Sequence, residues 1–177
     1  MSTKIFLDTE FTGLHQKTTL ISLGLVSECG ETFYAEFTDY DKSQIDDWLR
    51  DNVIANLSIP DNEGQQLVNT FKGDTKYIEW KIRGWLDTFP IGTEFEIWSD
   101  CLSYDWVLFN NIFGSAFDIP SSVHYIPFDI CTMFKLKGID PDISREAFID
   151  NSVGGTKHNA LYDAEVIKAC YKKLKEL

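Results

Sequence analysis

The sequence predicts an α/β domain, a mixed sheet covered by helices, and three observations predict it. Three runs with strand periodicity come first, the second and third joined by a turn signal. Strand-length apolar runs then alternate with stretches of helical period. No repeat, low-complexity tract or linker interrupts the 177 residues, of which 44% are hydrophobic and 14% aromatic, so one well-packed domain over residues 1–177 is expected.

Taken in order, the first strand is Lys4-Ile-Phe-Leu7 running into Asp8-Thr-Glu10, and its period of two puts Asp8 and Glu10 on one face, within reach of a common ion. Leu20 to Ser27 and Thr32 to Phe37 flank Cys29-Gly30, the signature of a hairpin that extends the sheet antiparallel. From Ser43 to Leu57, Ile45, Trp48, Leu49, Val53 and Leu57 follow helical spacing. Lys76 to Phe89 predicts a second helix with Ile78, Ile82, Leu86 and Phe89 inward, and Pro60 to Gly64 reads as a loop between elements. Phe95-Glu-Ile-Trp98 predicts a fourth strand, followed by a helix from Tyr104 to Phe113 that Gly114 stops, which sets Asp105 in the first turn after a strand. Val123 to Pro127 predicts a fifth strand that Pro127 confines to an end or an edge, and Ile130 to Leu136 a helix closed by Gly138. Asp150 to His158, with Gly154-Gly155, is a polar loop. Asn159 caps a last helix with Ala160, Ala164, Ile167, Tyr171 and Leu174 on one face and lysines at its carboxyl end, where they match the helix dipole.

Composition narrows the function. A net charge of -12 is opposite to what phosphate neutralisation by Lys and Arg requires, which counts against a passive nucleic-acid-binding module. It counts less against a nuclease, because bound divalent cations invert the local field where the phosphate sits. Cys29, Cys101, Cys131 and Cys170 are scattered, with no Cys-x-x-Cys pair and no Cys/His cluster, so reduced, mostly buried thiols are expected rather than disulfides or a thiolate metal site. The amino terminus lacks an apolar signal region, and no apolar run approaches the roughly 20 residues of a membrane span, so a cytoplasmic location without a membrane partner is expected.

Asp8, Glu10, Asp105 and Asp163, with His158 beside them, are the candidate site. Hydrolysis of a phosphodiester by two divalent cations about 4 Å apart needs converging carboxylates, one ion helping to generate hydroxide and the other stabilising the leaving oxygen. An all-oxygen donor set favours Mg²⁺, with Mn²⁺ as a substitute, over zinc. Each residue also has a plainer reading: a solvated strand end for Asp8 and Glu10, a helix cap for Asp105, a surface loop for His158 and an exposed helical acid for Asp163. Asp100 is assigned to a turn, and His15 and His124 to surface or core packing.

In that order and on those elements, Asp8-x-Glu10, Tyr104-Asp105 and His158-x-x-x-x-Asp163 resemble the DEDDh class of 3'-5' exonucleases, which includes proofreading exonucleases and ribonuclease T. The resemblance spans nearly the whole chain. The stretches from Phe6 to Leu14, Ile21 to Val26 and Tyr104 to Trp106 look most like the small stand-alone bacterial exoribonucleases of this class. The element order is compatible with a ribonuclease H-like fold, antiparallel in its first three strands and then parallel, flanked by helices. What the resemblance implies is a magnesium-dependent enzyme that trims RNA from its 3' end to nucleoside 5'-monophosphates, often as a homodimer. It implies that Asp8 touches both ions, Glu10 and Asp163 complete the ion that carries the attacking water, and Asp105 serves the second. His158 is then the general base, suited by a pKa near 6.5. A five-residue step on a helix turns about 140°, so His158 must precede the helix to face Asp163. A tyrosine-type member carries Tyr four residues before the last Asp, where this chain has Asn159.

For the substrate, Phe11 and Leu14 follow the first strand and can stack on or wedge against a terminal base, although Phe11 also suits the core. The resemblance assigns backbone N–H groups of Thr12 and Gly13 to the terminal nucleotide. Trp106 reads as helix packing, with a base contact left open. Two rivals stand beside the exoribonuclease: a nuclease for single-stranded DNA or very short oligonucleotides, and a catalytically inactive acidic interaction protein on the same scaffold.

Overall fold

A computed structural model describes residues 2–59 and 68–177. At its centre β1 (Ser2–Phe11) pairs antiparallel with β2 (Leu20–Ser27), which pairs antiparallel with β3 (Thr32–Phe37). The later strands add in parallel: β4 (Thr70–Gly73) on β3, β5 (Glu94–Ser99) on β1 and β6 (Phe128–Asp129) on β5. The sheet order is β4-β3-β2-β1-β5-β6, the mixed sheet that the sequence predicts.

Alternation along β1 decides which face each side chain serves. Ile5 and Leu7 turn into a core with α2 (Thr75–Leu86) and α3 (Leu102–Ile112), where Ile78, Ile82, Leu108 and Phe109 are buried. Phe6 turns the other way, against α4 (Ile130–Leu136) and α6 (Ala160–Glu176), among Phe134, Ile167 and Leu174. Asp8 and Glu10 continue the Phe6 series and so emerge on the α6 side. β2 is buried along its whole length, which explains its continuous apolar run. Gly24, directly across from Asp8, is where α6 touches the sheet: a Cβ there would lie 2.2 Å from Ala160 O. Only a glycine lets the first turn of α6, and with it Asp163, approach so near to Asp8.

Several boundaries differ from the sequence expectation. The single helix expected from Ser43 to Leu57 is three pieces: a 3-10 turn at Lys42–Gln44, α1 (Asp47–Asn52) and a second 3-10 turn at Ile54–Asn56. The Asp46 carboxylate accepts the Leu49 N–H at 2.7 Å, starting a new helix inside the apolar run. The predicted strand at Val123 to Pro127 reduces to one bridge between Val123 and Phe95, with pairing resumed at β6 beyond Pro127, which has no N–H to give. β4 and the short α5 (Arg145–Phe148) carried no sequence signal. The loop expected at Pro60 to Gly64 lies outside the described residues. Of the four free cysteines only Cys170 is buried; Cys29 is exposed and the others half-buried, so the expectation of mostly buried thiols is corrected. Among the described residues no helix is long and apolar enough to cross a membrane.

Candidate active site

The carboxyl ends of the parallel neighbours β1 and β5 lie side by side, so the chain that leaves β5 through Asp100 and Cys101 runs past Asp8. α3 starts immediately after and carries Asp105 in its first turn, while the first turn of α6 brings Asp163 from the opposite side. The result is a cleft of about 400 Å³ lined by Asp8, Glu10, Asp100, Arg145, His158 and Asp163. With Asp142 and Glu146, six acids line one opening, and Asp105 is buried behind it.

Five of these acids, with His158, form two groups. Donor atoms of Glu10, His158 and Asp163 lie within 4.8 Å of one another, as do those of Asp8, Asp100 and Asp105. All five residues singled out in the sequence are thus brought together. His158 precedes α6, as facing Asp163 requires, and its backbone N–H donates to Asp163 Oδ2 at 2.8 Å. Its Nδ1 lies 3.8 Å from Glu10 Oε1. Asp105 is 0% exposed and both its oxygens are engaged, Oδ1 by the Thr9 hydroxyl at 2.6 Å and Oδ2 by the Ser99 hydroxyl.

The charges are poorly compensated. Burial, then the charges of Asp105, Asp163, Glu10 and Asp100, push the Asp8 carboxyl well above its usual range. Burial, then Asp163 and Asp105, push Glu10 up to about 8. Burial also lifts Asp105 to about 7 against the hydrogen bonds from Ser99 and Thr9, and Asp163 to about 7 against that from the His158 N–H. The cations nearby are committed: Arg145 Nε lies 3.3 Å from Asp100 Oδ2, and Lys157 Nζ 3.2 Å from Glu146 Oε1. Asp8 Oδ2 is buried with no hydrogen-bond partner among the described residues. An orphaned carboxylate oxygen inside a ring of oxygen donors is what divalent cations satisfy, so the residues fit such ions. Partial burial, then the Lys157 charge, lowers the His158 pKa from its ordinary value, which favours the neutral imidazole.

Beside the cage lies a second cavity of about 360 Å³, lined by Phe11, Thr12, Gly13, Leu14, Trp48 and Leu49 among others. Leu14 is 74% exposed and Trp48 54%, large apolar surfaces left open at the edge of a polar site. Phe11 is half-buried and stacks on Tyr104 at 5.2 Å and 13°. The expectation that Thr12 and Gly13 offer free N–H groups is corrected: Thr12 N donates to Thr19 O at 3.0 Å and Gly13 N to Thr18 Oγ1 at 3.0 Å. The chain returning into β2 satisfies both. Trp106 is part-buried and stacks on Phe109, 5.7 Å away, lining neither cavity.

Sequence reasoning missed Asp100, Arg145 and Trp48. Asp100 directly follows the carboxyl end of β5, and an acid at that end of a strand is a signal that could have found it. Arg145 and Trp48 reach the site only through tertiary packing.

The family model described as "3'-5' exoribonuclease Rv2179c-like domain" matches residues 3–174. The protein named 3'-5' exoribonuclease Rv2179c from Mycobacterium tuberculosis (strain ATCC 25618 / H37Rv) is 30% identical over 121 residues, 68% of this chain and 67% of that protein. Among solved structures, the nuclease domain of 3'hExo, a DEDDh family member bound to rAMP, superposes with a TM-score of 0.65 at 16% identity, covering 98% of this chain and 92% of that one. Cell-death related nuclease 4 (CRN-4) gives a TM-score of 0.63 at 16% identity over 98% of this chain and 64% of that one. These structural likenesses share the ribonuclease H-like mixed sheet described above.

Proposed function

We propose the chemistry of this cleft from one premise: the chain belongs to the family of Rv2179c-like 3'-5' exoribonuclease domains. The protein is a metal-dependent 3'-5' exoribonuclease, hydrolysing the last phosphodiester of RNA. The observation that carries this reading is the convergence of Asp8, Glu10, Asp105, Asp163 and His158, with an Asp8 oxygen that has no hydrogen-bond partner among the described residues. Divalent cations, when bound, supply charge neutralisation of the phosphate, acidify the attacking water and stabilise the leaving 3' oxygen.

Every other step belongs to the chain. Asp8 would hold both ions, Glu10 and Asp163 one of them, and Asp105 with Asp100 the other. Asp105, fixed by Thr9 and Ser99, cannot swing away, so it keeps the spacing of that group. His158 takes the proton of the attacking water at Nδ1, the ring nitrogen that faces Glu10. Leu14 and Trp48 receive the terminal base in the neighbouring cavity, where stacking tolerates any sequence and suits an exonuclease that must accept every base. The products are nucleoside 5'-monophosphates. Magnesium is the working ion, with Mn²⁺ able to replace it; the chain acts as one domain over residues 1–177, as a cytoplasmic homodimer. Light scattering in solution tests the dimer.

The decisive experiment follows 5'-labelled and 3'-labelled single-stranded RNA with Mg²⁺ or Mn²⁺, beside matched DNA, dinucleotides and the Asp8→Ala variant. Stepwise shortening from the 3' end, faster on RNA and absent in Asp8→Ala, is the expected result. Faster loss of DNA or of dinucleotides assigns the alternative substrate, and no hydrolysis under any condition leaves an inactive acidic interaction protein.

A further inference from the structure

His158 holds a left-handed φ of 63°, alone among the described residues that line the acid cleft. A non-glycine residue stays in that region only where its neighbours hold it. Both of its chain neighbours are gripped by the same side chain and backbone. Asn56 Nδ2 donates to Lys157 O at 3.0 Å, and Asn56 O accepts from Asn159 Nδ2 at 3.0 Å. The Asn56 amide also donates to Asn52 O, the last residue of α1, which anchors the grip to that helix. α1 carries Trp48, whose indole meets the His158 ring edge-on, with centroids 5.1 Å apart and planes at 75°. Asn159 divides its amide between two tasks, Oδ1 capping α6 through the Tyr162 N–H at 3.3 Å and Nδ2 reaching Asn56.

We propose that Asn56, acting with Trp48, is the positioning element for His158: it sets the ring against Glu10 and Asp163 and joins it to the wall of the base cavity. This rests on His158 being the general base, as proposed above. Asn56 lines neither cavity and touches none of the carboxylates. Its loss therefore reaches chemistry through the orientation of His158, leaving ion and RNA binding in place. Trp48 lines the base cavity and touches His158, which lines the acid cleft, so a base seated against Trp48 presses on the residue that steadies the imidazole.

The chain has three histidines, His15, His124 and His158, so histidine labelled with ¹³C gives three ring signals. The His158 signal is the one displaced by the ring current of Trp48, and Trp48→Leu identifies it. In Asn56→Ala the His158 signal should move toward the position of a free histidine while His15 and His124 stay. The same variant should lose about tenfold or more in kcat, at unchanged KM and with an unchanged midpoint for Mn²⁺ stabilisation. A stationary His158 signal, or a wild-type kcat, overturns the proposal. Should His15 and His124 also move in Asn56→Ala, Asn159→Ser decides by the same two readouts, because its hydroxyl keeps a cap acceptor and removes the donor to Asn56 O. His158→Ala, measured in parallel, separates the two readings: a wild-type kcat there rejects the base assignment, whereas the histidine spectrum still judges the clamp.

Discussion

Raising the pH of the ion-free protein from about 5 to about 8 in a chelator should destabilise it, the reverse of what salt-bridged carboxylates do. Burial, with the charges of Asp163 and Asp105, holds Glu10 at about 8 against 4.5, and burial holds Asp105 and Asp163 at about 7 against 3.8. Across that window the folded chain keeps protons that the unfolded chain has already lost. Unfolding then releases protons, and stability falls as pH rises, with the effect complete above the folded pKa values and absent below the unfolded ones. At roughly 1.4 kcal/mol per pH unit, the displacement of Glu10 alone corresponds to on the order of 5 kcal/mol. The neighbouring acids feel the same mutual repulsion and titrate with it as a cluster, so their displacements are not added. For a chain of this size, about 2–4 °C per kcal/mol makes that a fall in Tm on the order of 10 °C. Divalent ions should reverse it, a site held at a hundredfold excess over its Kd returning about 2.7 kcal/mol. Calorimetry or urea denaturation across the pH range, with chelator and then with Mg²⁺ or Mn²⁺, measures both effects. Glu10→Gln should flatten the slope, exceed the wild type in ion-free stability near pH 8, and respond weakly to ions. A flat or rising profile in chelator, or an unaltered slope in Glu10→Gln, refutes the electrostatic account of the cage.

Asp163→Ala should weaken ion binding and abolish cleavage, since it removes a donor and the acceptor of the His158 N–H; His158→Ala should bind ions normally and lose about 10²–10⁴-fold in single-turnover rate, and a normal rate would remove it as base. Trp48→Ala should raise KM by about tenfold, from stacking worth roughly 1–3 kcal/mol per base; steady-state kinetics on oligonucleotides with each 3' base checks this, and an unchanged KM places the base elsewhere. Gly24→Ala should cost about 3 kcal/mol, because its Cβ meets backbone at Ala160 rather than a movable side chain; a denaturation midpoint close to wild type would mean that α6 is not seated as described. The net charge of -12 predicts a shallow dependence of RNA affinity on monovalent salt and rapid release after each cut; steep salt dependence or long processive runs would contradict it.

The sheet was legible where burial alternates with the strand period or fills a strand-length apolar run beside a turn signal. Phe6, Asp8 and Glu10 share one face of β1 as alternation requires, and the apolar hairpin strands β2 and β3 declare themselves by continuous burial around a glycine turn. β4 was not legible because Thr70-Phe-Lys-Gly73 has neither length nor alternation; an edge strand this short is defined by its partner β3. The helix read from Ser43 to Leu57 was broken by Asp46, whose carboxylate competes for backbone N–H groups that a continuous helix would have used internally.

The acids of the cage were legible for the same reason, since strand ends and helix starts fix where a carboxylate emerges. Contacts made by chain segments distant in sequence were not. Thr12 and Gly13 spend their N–H groups on the return into β2, so a turn that looked ready for the terminal nucleotide is closed. Asp100 looks like a turn residue until β5 lies parallel to β1 and carries it past Asp8. Trp48 shows the same dependence most sharply. On a long helix it belongs to the inward face; on a helix of six residues beginning at Asp47 it stands at the rim, more than half exposed, while Leu49 next to it is buried. Trp106 offers the contrast, because its ring is already stacked on Phe109 and has little left to gain from a ligand. An apolar surface that folding leaves open beside an acid cage gains contacts when a flat, uncharged base enters. That difference in unfinished burial is why Trp48, and not the tryptophan adjacent to Asp105, is assigned to the substrate.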